Sequence, residues 1–97
     1  MISQLRIYTI NSGQMDSWLK AFEELRPILA KHGIKVDGAW TDTENERFIW
    51  VRSFEDEADL ARKEKAFYSD PDWLAKVDHV RSNLAHRDVT VISPVKA

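Results

Sequence analysis

Apolar residues first recur at every second position, from Ile2 to Ile10, with Leu5 and Ile7 on one side and Tyr8 and Ile10 towards the other. That alternation predicts a strand. Asn11-Ser12-Gly13 breaks it, and Ser12 is placed to cap a helix whose first turn carries Asp16. The spacing then changes to threes and fours through Met15, Trp18, Leu19, Phe22, Leu25 and Leu29, which predicts an amphipathic helix. Pro27 should kink or restart it near Arg26, and His32-Gly33 should close it. Ile34 to Thr41 predicts a second strand in which Gly38 marks a bulge or a close backbone approach. Asp42 to Glu46 is a turn, with Asp42 set across from Arg47 as an ion pair. The third strand runs from Arg47 to Phe54. Helical spacing returns from Ser53 to Tyr68 through Leu60, Ala61, Glu64, Phe67 and Tyr68. Asp70-Pro71-Asp72 then starts a further helix, Asp70 capping and Pro71 in the first turn, marked by Trp73, Leu74, Val77, Val80 and Leu84. Asp88 to Ser93 is the last strand, before Pro94. The order β-α-β-β-α-α-β is that of an α+β ferredoxin-like plait, a four-stranded antiparallel sheet with helices on one face.

The third strand is apolar on both faces: Phe48, Trp50 and Phe54 share one side, while Ile49 and Val51 share the other. In a small two-layer domain a strand needs one apolar face to carry the helices. A second calls for another cover, and an identical sheet from a second copy supplies it. Two plaits joined in this way make a dimeric α+β barrel.

The 97 residues are expected to form a single domain, 1–97. Fourteen basic against 16 acidic side chains give a net charge of -2, which argues against a nucleic-acid partner. Cysteine is absent, so disulfides, thiolate nucleophiles and Cys-based zinc sites are excluded. The first residues lack the basic start and apolar core of a signal peptide, and no apolar run approaches about 20 residues, so a cytoplasmic protein with no membrane span is expected.

Several stretches in fixed order carry a resemblance. They are Leu5-Arg6-Ile7-Tyr8, Gly13, His32-Gly33, Gly38-Ala39-Trp40, Trp50 with Phe54, Arg62, and Asp70-Pro71-Asp72-Trp73. Together, from Ile2 to Pro94, the chain resembles the NIPSNAP family, a branch of the dimeric α+β barrel superfamily. It departs from the family pattern at Thr43-Glu44-Asn45-Glu46, where a glycine is expected. The resemblance implies a pocket between the sheet and its own helices, as in barrel relatives that include cofactor-independent quinol monooxygenases and haem-degrading enzymes. It implies no established catalytic set and no resident cofactor, and fold alone does not transfer function.

Within such a pocket, His32 is a candidate proton acceptor, or simply a helix-terminal residue facing the last carbonyls. Arg62 could hold an anionic substrate or a carbonyl oxygen, or tie Glu55, Asp59 or a strand end in place. Tyr8 is the third polar anchor. Trp40, Trp50, Phe67 and Trp73 are candidate walls for a flat ligand, or core and dimer interface. His79 and His86, seven apart on a predicted helix, stand about 10 Å apart along its axis, too far to share a metal. Two function classes stay open: a small-molecule binder or enzyme acting on a hydrophobic or aromatic compound, and a homodimeric interaction module without catalysis. Haem handling, a third reading, would need an axial ligand inside the pocket.

Overall fold

The computed structural model describes residues 1–95. Its elements are β1 (Ile2–Ile10), α1 (Met15–Lys31), β2 (Lys35–Thr41), β3 (Arg47–Phe54), α2 (Glu57–Tyr68), α3 (Pro71–Ser82) and β4 (Leu84–Ile92). The strands form one sheet in the order β2-β3-β1-β4, every neighbouring pair antiparallel. The predicted plait is therefore the fold.

Alternation sets the faces. Gln4, Arg6, Tyr8 and Ile10 of β1 are buried, as are Phe48, Trp50, Arg52 and Phe54 of β3. These side chains lie beneath the helices. Met15, Trp18, Phe22, Leu25, Ile28 and Leu29 of α1 cover them in helical spacing. Trp18 packs edge-on to Tyr8 and Phe48, at ring separations of 5.5 and 5.3 Å, and Phe22 lies 4.7 Å from Phe48.

The opposite face carries Leu5, Ile7, Ile49 and Val51, all half-buried. Trp40, the cross-strand partner of Ile49, joins them with 55% of its surface exposed. The Cα envelope is only 18 Å thick against 37 Å in the other two directions. That is the thickness of one sheet and one helix layer, so this apolar face has no cover among the described residues. The helix layer also stops short of β4. Val89 and Val91 pair with Arg6 and Gln4 and so share their face, yet are 45% and 50% exposed.

Local structure departs from the sequence expectations at five points. Helix α2 starts at Glu57, capped by Asp56, rather than at Ser53, because Ser53 and Phe54 still belong to β3. Ser12 does not cap α1. Its N-cap is Gln14, with no side-chain cap bond, and Asn11 ties the turn by bonding Asn83 and Ser82 across the sheet end. Pro27 does not restart the helix. The carbonyl it leaves without a donor, that of Glu23, belongs to an exposed residue that water can serve. Asp42 does not pair with the Arg47 guanidinium. Its carboxylate accepts the backbone N–H groups of Glu46 and Arg47 at 2.8 and 3.0 Å, which holds its pKa below the usual carboxylate range. Finally, β4 begins at Leu84 rather than Asp88, so Leu84 and His86 lie on a strand and His79 and His86 share no helix.

The expectation at Gly38 holds. The β2–β3 register shifts between Val36 and Gly38, a bulge. A Cβ on Gly38 would stand 2.4 Å from the Trp40 ring, so the indole lies directly over the glycine. In the β2–β3 turn Asn45 adopts φ 55°. Asn tolerates that left-handed conformation, and it takes the place of the glycine the family pattern led us to expect.

Candidate functional site

Three of the buried positions under the helices are polar or charged, and they converge. Arg6 and Arg52 are 5% and 1% exposed, and Gln4 sits between them. The Gln4 Oε1 accepts from Arg6 Nε at 3.1 Å and from Arg52 Nε at 2.7 Å, while its Nε2 donates to Glu64. Glu64 reaches down from α2. Its Oε2 accepts from Arg52 Nη2 at 2.5 Å and from Arg6 Nη2 at 3.2 Å. The Tyr8 hydroxyl accepts from Arg6 Nη1 at 2.8 Å. Tyr68 accepts from both guanidiniums at 3.3 and 3.4 Å. Trp50 lies beneath both cations, 5.7 Å from Arg6 and 5.3 Å from Arg52.

Electrostatically the cluster is unbalanced, since one carboxylate faces two guanidiniums. Burial works against the Arg6 charge, but the Tyr8 and Tyr68 oxygens outweigh it and raise its pKa. Burial lowers that of Arg52, and the neighbouring Arg6 charge lowers it further. Both remain cations at neutral pH.

This cluster forms the floor of a cleft between sheet and helices. Tyr8, Trp18, Trp50, Phe67 and Trp73 wall it, Leu25, Leu29 and Val80 close its apolar end, and Arg81 and Arg87 stand with Leu84. The cleft leaves about 420 Å³ not filled by atoms, part of it open to solvent, and only about 30 Å³ of it admits the centre of a water molecule. The space is thus a narrow slot.

Of the residues singled out from sequence, the structure brings Tyr8, Trp50, Phe67 and Trp73 to the cleft. It does not bring His32, Arg62 or Trp40 there. His32 is the C-cap of α1, and its Nε2 stands 2.6 Å from Asp70 Oδ2, its ring edge-on to Phe67. The Arg62 side chain is 70% exposed and pairs with Asp59 at 2.6 Å, the structural alternative weighed for it. Trp40 lies on the other face of the sheet. Arg6, Arg52 and Gln4 escaped notice as site residues, although period-two alternation puts them on the same sides as Tyr8 and Trp50.

Asp70 joins two helix ends. Its carboxylate caps α3 through the Asp72 N–H at 2.7 Å and accepts from Lys31 at 2.8 Å and His32 at 2.6 Å. The Lys31 bond, then that of His32, holds its pKa far below the usual carboxylate range. A depressed folded-state pKa contributes stability above the unfolded value, about 3.9, and that contribution is lost as pH falls further. Asp70→Asn keeps a good cap but loses the charge. Its melting temperature should lie below wild type by roughly 5 °C at pH 7, and the gap should narrow progressively as pH falls below about 4. Thermal melts across pH check this, and a constant gap would assign the loss to capping alone.

A model of the NIPSNAP family matches residues 3–97. No protein of curated function matches the chain. Among solved structures, an uncharacterized NIPSNAP domain protein from Burkholderia xenovorans superposes with a TM-score of 0.90 at 22% identity, over 98% of this chain and 95% of that one. A NIPSNAP family protein from Agrobacterium tumefaciens gives 0.89 at 22% identity, over 97% and 92%. A cofactor-independent oxygenase from Streptomyces nogalater gives 0.77 at 10% identity, over 99% and 94%. At these identities the likeness is one of fold.

Proposed function

Since the chain belongs to the NIPSNAP family, we propose that it binds a small, flat, aromatic molecule in the cleft between sheet and helices, as half of a homodimeric α+β barrel. The observation that carries this reading is the cleft itself. Five aromatic residues wall a narrow slot that ends on two buried guanidiniums and a tyrosine hydroxyl. Binding sites of this kind are mostly apolar, with few, convergent polar groups. The narrow free space suits a planar ring better than a globular ligand.

The dimer draws on the uncovered apolar face, where Leu5, Ile7, Ile49 and Val51 stand half-exposed beside Trp40. The same site suits cofactor-free oxidation or isomerisation of an electron-rich ring, in which negative charge develops on a ring oxygen. Tyr8 and the Arg6–Arg52 pair would stabilise that charge. The match to a cofactor-independent oxygenase supports the fold's suitability for this chemistry. The rival reading, a homodimeric interaction module that takes no ligand, draws on how little of the cleft admits water.

Tryptophan fluorescence separates the two. Trp18, Trp50 and Trp73 line the cleft and Trp40 does not, so Trp40→Phe removes the outside reporter. A series of planar one- and two-ring aromatics should quench the remaining emission saturably, and Leu84→Trp should abolish the effect by filling the cleft. Absence of saturable quenching across the series, with side chains filling the slot in a crystal, would establish the interaction module instead.

A further inference from the structure

The cleft offers donors and almost nothing that accepts. Trp18 and Trp50 are 1% and 3% exposed, and their indole Nε1 atoms are buried without a hydrogen-bond partner. A buried donor left unpaired loses its water and gains nothing in return, which is costly. Two in one slot is unusual in a small protein. The Tyr8 hydroxyl accepts from Arg6, which leaves its own O–H free to donate. Arg52 uses Nε and Nη2 on Gln4, Glu64 and Tyr68. The guanidinium pair is itself short of one negative charge, because Glu64 alone faces both.

These observations have one chemistry in common. We propose that the ligand of this cleft is a planar aromatic anion, whose oxyanion, a carboxylate or an ionised ring oxygen, takes the missing counter-charge beside Arg6 and Arg52 and accepts from Tyr8 and the indole N–H groups. This rests on the cleft being a ligand site and adds the class of ligand. Glu64 partly neutralises the guanidiniums in the empty cleft, so that they are not left as bare buried cations, and the ligand completes the neutralisation. Charge-assisted hydrogen bonds of this type are the strong ones, and a guanidinium fork matches a carboxylate bidentately.

The test is calorimetric titration with 2-naphthoate and with 2-naphthamide, a neutral compound of nearly the same shape. Wild type should bind the carboxylate at least about tenfold more tightly, with affinity falling as salt rises. Tyr8→Phe should weaken the carboxylate several-fold. Glu64→Gln keeps an acceptor for the arginines but removes the internal negative charge. It should tighten 2-naphthoate by roughly threefold or more and leave 2-naphthamide unchanged. A merely structural network predicts no such gain. Equal binding of the two compounds would overturn the anion assignment while leaving the aromatic cleft in place. Binding of neither, with the fluorescence series also silent, would remove both. Should Glu64→Gln fold poorly, Arg52→Lys supplies the second measurement. It keeps the charge, loses the fork, and should narrow the preference for the carboxylate, and an unchanged preference would overturn the assignment.

Discussion

Replacing Ile49 by Asp is expected to leave an 11.3 kDa monomer, where the proposed barrel requires the wild type to scatter light as a dimer. Ile49 stands in the middle of the uncovered face, paired with Ile7 on β1 and with Trp40 on β2. If two such faces close on each other, a carboxylate there meets its own copy or apolar side chains and cannot be solvated. An unpaired buried charge costs several kcal/mol, so dissociation should be at least about 100-fold easier. Because the helix-covered core is untouched, the far-ultraviolet circular dichroism of the variant should match wild type. Analytical ultracentrifugation at micromolar concentration checks both. A wild type that sediments as a folded monomer would remove the barrel, and with it the reason for the two-faced strand.

The second large effect separates two residues of the same type. Trp18→Ala should cost about 3–5 kcal/mol, as aromatic truncations in a packed core do. That is a large share of the 5–15 kcal/mol available to a domain. Trp18 touches Tyr8, Phe22 and Phe48 and is among the most buried side chains of the protein. Trp40→Ala removes as many atoms, yet the ring it removes lies over Gly38 on the uncovered face. Its loss should be small in dilute solution and grow with dimer population, so that only this variant flattens the concentration dependence of the melting temperature. Denaturant titrations at two protein concentrations distinguish the cases. A Trp18→Ala variant as stable as wild type would mean that α1 does not pack as described.

Much of this architecture was legible in the residues because each element carries its own signal. Period-two alternation marks β1 and β3, the 3.6-residue period marks α1, and Asp70-Pro71 announces the start of α3. β4 was cut short because its first residues, Ala85, His86 and Arg87, are exposed. An edge strand outside the helix layer has no need of the alternation that betrays a buried one. The site was legible only in its aromatic half. Tyr8, Trp50, Phe67 and Trp73 stand out by size, whereas Arg6 and Arg52 read as surface charges, since a buried guanidinium requires a partner. That partner, Glu64, lies 58 residues from Arg6 and 12 from Arg52. Local pattern cannot show that these groups meet. His32 and Arg62 drew attention for the chemistry of their side chains, and geometry commits both to aspartates that hold helices in place.

The bare strip along β4 has a kinetic consequence. Leu84 and Arg87 border the cleft on that strand, beside Val89 and Val91, which no helix roofs. If the cleft takes a ligand as proposed, that ligand can slip in sideways along this open margin without prising apart the two copies of the proposed dimer. With ligand in large excess, the observed rate constants for its arrival and departure should then be indifferent to protein concentration, and normalised stopped-flow traces from dilute and concentrated samples should superimpose.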